Sequence, residues 1–182
     1  MNYKLFPVLL FGLFSFTTPS NNTTDPKIIA STSKVSFESK VVSLYNNLNA
    51  NNFKLPQLES FTKALEGFYQ LKQKGLVQND ILTLIDFSLS ANSKRMWVID
   101  MTTNTVLYNT LVAHGRNSGE EFATQFSNKS ESYQSSLGFY LTGETYQGKH
   151  GLSLRLDGLE RGINDKARDR AVVIHGADYV SE

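Results

Sequence analysis

Three histidines occur in the sequence, and each is followed by glycine: His114-Gly115, His150-Gly151 and His175-Gly176. Imidazole exchanges a proton near neutral pH, and a neighbouring glycine lets the backbone turn sharply or lie close to a ligand. His175 ends Ala171-Val172-Val173-Ile174, the most apolar candidate strand in the chain. It is therefore expected to project from a buried sheet edge with restricted rotamers and a shiftable pKa, with Gly176 making the turn. A hydrogen-bonded structural histidine fits the same residues. His114 lies in Ala113-His114-Gly115-Arg116-Asn117-Ser118-Gly119, where Arg116 could hold a carboxylate; a tight turn with a solvated arginine is the competing reading. His150, in Gly148-Lys149-His150-Gly151, reads as a turn residue. Tyr140 and Arg155 join His114 and Arg116 as candidate substrate contacts.

The sequence has no cysteine, which removes disulfides, thiolate metal sites and a cysteine nucleophile from these 182 residues. The 18 basic residues nearly balance the 17 acidic ones, so charge alone points to neither a nucleic acid nor an anionic membrane as partner. From Asp157 to Arg170 acids and bases are mixed, which reads as a solvated face, although one or two arginines facing inward could bind an acidic peptide substrate.

These groups need a scaffold, and periodicity supplies it. Val41, Leu44, Tyr45 and Leu48 recur at helical spacing, as do Leu58, Phe61, Leu65 and Phe68 between Pro56 and Gly75, predicting two packing helices within 37–78. Beyond Asn79 the period becomes two. Strands are predicted at 81–87, 95–100, 106–112, 138–142, 152–156 and 171–174, separated by glycines and polar turns. This is a mainly β barrel or sandwich with two N-terminal helices packed on it.

Residues 1–20 read as an export signal, with Lys4 ahead of an apolar run from Leu5 to Phe16 and small residues at Thr18 and Ser20. A transmembrane span needs roughly 20 apolar residues, more than this run offers, so none is expected in the mature chain. Residues 21–36, rich in Asn, Thr, Ser and Lys, read as a polar linker, and residues 79–182 as the β domain.

Asp86-Phe87-Ser88, Val98-Ile99-Asp100, the His114–Gly119 stretch, Ser135-Ser136-Leu137-Gly138-Phe139-Tyr140 and Ala171-Val172-Val173-Ile174-His175-Gly176-Ala177-Asp178-Tyr179 together resemble the murein L,D-transpeptidase catalytic domain family. The resemblance implies a thiol-dependent acyl transfer on peptidoglycan stem peptides in the periplasm or cell envelope, with no metal or organic cofactor, by a monomer. It makes His175 the catalytic base. In that family a Ser-x-Gly-Cys turn follows shortly downstream and carries the nucleophile; it is not among these residues. The expectation is a C-terminally incomplete domain, with an intact homologue that has lost its nucleophile as the alternative; either is inactive as it stands. Two other readings compete. A zinc-dependent peptidoglycan hydrolase could draw ligands from the three histidines with Asp178 or Asp157, although no His-x-x-x-His pair occurs. A non-catalytic wall-binding module could stack Tyr133, Phe139, Tyr140 and Tyr146 on glycan.

Overall fold

A computed structural model describes residues 26–180. Two helices, α1 (Pro26–Asn46) and α2 (Leu58–Gln73), precede six strands: β1 (Ile81–Ile85), β2 (Met96–Asp100), β3 (Thr105–Thr110), β4 (Tyr140–Gly148), β5 (Gly151–Gly158) and β6 (Val173–His175). The strands form two three-stranded antiparallel sheets, ordered β1-β2-β3 and β4-β5-β6. The domain is mainly β. The export-signal reading of residues 1–20 falls outside the described residues. Helix α1 already runs from Pro26, inside the stretch read as linker.

The apolar stripes bury as their spacing requires. Phe61, Leu65 and Phe68 form the inner face of α2, and Val41 and Leu48 are buried with them against Leu84, Trp97, Ile99 and Val106 of the first sheet. The Trp97 indole N–H donates to the Lys54 carbonyl at 2.7 Å, and the Tyr45 hydroxyl donates to the Pro56 carbonyl at 2.7 Å, so the polar tips of both core rings are satisfied. At its C-terminus α2 stops where Gly75 adopts φ +70° and Leu76 N–H reaches back to the Leu71 carbonyl at 3.0 Å, closing the orphan carbonyls. A register shift between Val98 and Ile99 leaves one extra residue on β3, so Val106 and Asn109 both face inward where strict alternation would not place them.

The second sheet departs from expectation in two ways. β4 continues through Gly148 instead of stopping near Thr142, because a register shift between Thr142 and Thr145 carries the pairing past Gly143. β6 is shorter and less buried than the apolar run at 171–174 suggests. It is three half-buried residues at the sheet's edge, pairing only with β5. Ala171 takes a left-handed φ of +54°, which delays strand pairing until Val173.

Candidate active site

His175 closes β6 opposite Ser153 of β5. Its Nδ1 lies 2.7 Å from the Gly176 carbonyl oxygen. A carbonyl only accepts, so Nδ1 carries a proton in this contact, and in the neutral form of the ring Nε2 is then the unprotonated acceptor. That is the form a general base needs. Gly176 is not in the left-handed region, and a Cβ there would meet nothing within 4 Å. What Gly176 supplies is its carbonyl. The His150 ring stacks on His175 with centroids 4.7 Å apart and planes 19° from parallel. Tyr179 and Val180, which follow β6, line a groove with Leu111, Val112 and Ala113 beyond the end of β3.

His114 is used differently. Arg95 Nη2 donates to its Nδ1 at 2.8 Å, and its Nε2 lies 3.1 Å from the Gly119 carbonyl, so this ring is protonated at Nε2 and both nitrogens are engaged within the chain. Arg95 is fully buried. It also donates to the carbonyls of Leu89 at 2.8 Å and Val112 at 3.0 Å, and its guanidinium lies 5.1 Å from the Phe87 ring centroid. Asp86, buried nearby, accepts from the Ser60 hydroxyl at 2.6 Å, the Ser88 hydroxyl at 2.6 Å and the Ser88 amide at 3.0 Å. Burial pushes the Asp86 carboxyl up, but those donors and the Arg95 charge outweigh it and hold the group below the usual aspartate range. Burial lowers Arg95, and Asp86 opposes it.

The remaining candidates are each engaged elsewhere. Arg116 is exposed and lies 3.7 Å over the Tyr133 ring centroid. The Tyr140 hydroxyl donates to the Ser136 carbonyl at 2.9 Å, and burial raises that phenol above the ordinary range. Arg155 pairs with Glu144 at 2.9 Å and lies 4.3 Å from the Tyr146 ring centroid. Phe139 sits against Gly67 of α2. All four aromatics of the wall-binding reading therefore have partners within the chain. Among the described residues, no group of three His, Asp or Glu side chains is placed to hold a metal ion.

Two arginines of the mixed-charge run have structural partners that their sequence context did not specify. Arg168 bridges Asp157 of β5 and Glu144 of β4, holding both carboxyls below their usual range. Arg170 donates to the carbonyls of Ser127 and Gln134, both at 2.6 Å, and to the hydroxyls of Ser136 at 2.6 Å and Ser132 at 3.1 Å. It staples the irregular 127–136 segment in place. Arg170 thus turns inward, and its partners are the chain's own carbonyls and serine hydroxyls, not the acidic peptide that an inward arginine of this run was expected to bind.

Residues 54–182 match a family described as the L,D-transpeptidase catalytic domain. No curated protein and no solved structure matches the chain.

Proposed function

The chain belongs to the L,D-transpeptidase catalytic domain family, and from that premise we propose that it supplies the general base and part of the substrate-binding wall of a peptidoglycan acyl-transfer enzyme acting outside the cytoplasm. The observation that carries this reading is the His175 tautomer. With Nδ1–H engaged by the Gly176 carbonyl at 2.7 Å, Nε2 is left as the proton acceptor at the end of an edge strand.

In the proposed reaction Nε2 of His175 takes the proton of a thiol, and the thiolate attacks the carbonyl of the diaminopimelate–D-alanine bond. The tetrahedral oxyanion is held by backbone N–H groups. As it collapses, His175 returns the proton to the departing amine, D-alanine leaves, and the acyl group remains as a thioester. The amine of a second stem peptide then attacks, giving its proton to His175, and the thiol is regenerated. These 182 residues hold no cysteine, so the proposed reaction requires a thiol that they do not supply. His114, Arg116, Tyr140 and Arg155 remain the proposed substrate contacts.

The test compares this chain with a form extended by its reading frame until it includes a cysteine, both incubated with a tetrapeptide stem. The extended form releases D-alanine, and the 182-residue chain does not. His175→Ala in the extended form lowers the rate by about two to four powers of ten with the fold retained. Release of D-alanine by the 182-residue chain, or an extended form indifferent to His175→Ala, overturns the mechanism. Mass spectrometry of the exported protein should find its N-terminus near Asn21; an intact Met1 would refute export by cleavage.

A further inference from the structure

We infer that His150 is a positioning residue for His175: it holds the plane of the base by stacking on it, and so fixes where Nε2 points. The inference rests on the general-base reading above and adds to it a residue that the chemistry itself does not require.

The fold brings the two rings together through strand register. Lys149 and His150 form the tip between β4 and β5, where Gly148 pairs with Gly151. Gly151 has φ +83°, a left-handed conformation that a side chain would strain, and this lets the chain reverse within so few residues. β5 then pairs with β6 so that Ser153 lies opposite His175. The hairpin tip is therefore only a few residues along β5 from the base, and the His150 ring reaches it at 4.7 Å and 19°.

A partner is needed because of what His175 otherwise lacks. It is the last residue of a three-residue edge strand, and the acceptor for Nδ1–H is the carbonyl of the very next residue. A single hydrogen bond to an adjacent carbonyl leaves the ring able to rotate about that contact. It also leaves a route to the opposite tautomer, in which Nε2 would carry the proton and could not accept another. A flat ring packed on one face removes the rotation and keeps Nδ1–H on the Gly176 carbonyl. Only a planar surface is required for this, not a second proton-transfer group.

The test starts on the 182-residue chain, where no catalysis is involved. Nitrogen NMR of labelled histidine, above neutral pH so that the rings are uncharged, should give His175 the pattern of an Nδ1–H imidazole. In His150→Ala the His175 signals should move toward an average of the two tautomers. In His150→Phe, which keeps a flat ring, they should stay as in the parent. A parent His175 protonated at Nε2, or a tautomer unchanged in His150→Ala, overturns the inference. Should His150→Ala fail to fold by circular dichroism, His150→Gln, polar and without a ring, takes its place under the same criteria. In the extended, thiol-containing form, His150→Ala should lower kcat for D-alanine release about tenfold with KM unchanged, and His150→Phe should restore it to within about twofold. Unchanged kcat in His150→Ala overturns the positioning role. An extended form with no activity at all strikes the transpeptidase reading instead and leaves the NMR result standing.

Discussion

Arg95 carries a guanidinium into a site shut off from water, and its described hydrogen-bond partners are neutral: two backbone carbonyls and the Nδ1 of His114. Asp86 answers it at longer range, and its carboxylate is satisfied by two hydroxyls and an amide instead of by a direct ion pair. The consequence is a dependence of stability on pH. Asp86 has a folded-state pKa below its unfolded value near 3.9. The unfolded chain therefore binds the proton more readily, and the stabilisation is fully present above that value and lost as pH falls through the folded one. Urea midpoints measured from pH 6 down to about pH 2.5 should fall for the parent, while Asp86→Asn should be less stable at pH 6 and show a shallower decline. Equal slopes in the two proteins would mean that Asp86 is not the group responsible. Little of this was legible in the sequence. Nothing in the local pattern marks Arg95, the first residue of a predicted strand, as buried, and its link to His114 joins positions that no local pattern connects. His175 stood out as a candidate because its apolar approach and following glycine are contiguous, but its contact with the Gly176 carbonyl did not, since that depends on where one carbonyl points.

At the level of elements, helix stripes and strand alternation carried most of the information. Phe61, Leu65 and Phe68 bury because three-to-four spacing keeps them on one face of α2, and the β1–β3 runs are β-branched enough to mark themselves. Pattern fails where pairing is decided by a partner. β4 runs on through Gly143, Glu144 and Thr145 because β5 continues opposite it, and β6 shortens because only three residues find partners. The meeting of α2 with the residue just before β4 was equally hidden: the glycine at position 67 leaves the space that the Phe139 ring occupies. A Cβ at Gly67 would collide with that ring, which is 36% exposed and can move only by giving up the contact. Gly67→Ala should therefore cost about 1–3 kcal/mol despite alanine's better helix propensity. Adding Phe139→Ala should recover part of the loss, so the double mutant is more stable than the sum of the singles predicts. Strict additivity in chemical denaturation would show that the ring and the helix do not meet in solution.

Taken as a whole, the chain concentrates its dry core in one half of its sheet structure. The buried apolar cluster draws on α1, α2 and β1–β3: Val41, Leu48, Phe61, Leu65, Leu84, Trp97, Ile99 and Val106. The strands β4–β6 contribute no member to it, and of their residues only Ser153 is buried; order around them comes from polar side chains. Arg170 pins the 127–136 segment, Asn164 donates to the Phe139 carbonyl at 2.9 Å, Glu160 accepts from the Phe139 amide at 2.7 Å, and Arg168 spans β4 and β5. Apolar burial contributes roughly 25 cal/mol per Å², whereas an exposed ion pair contributes about 0–1 kcal/mol. The two sheets should therefore not be equally resistant to opening. Native-state hydrogen exchange should find the amides of Trp97, Ile99 and Val106 opening only with global unfolding. Those of Leu154, Leu156 and Ile174 should exchange through a smaller opening, faster by about two powers of ten or more. His175 lies on that second sheet, the one expected to open more easily. Raising salt should widen the gap by screening Arg168 and its acidic partners while leaving the apolar cluster untouched. Uniform protection across both sheets, insensitive to salt, would show that the polar staples alone hold β4–β6 as firmly as the core holds β1–β3.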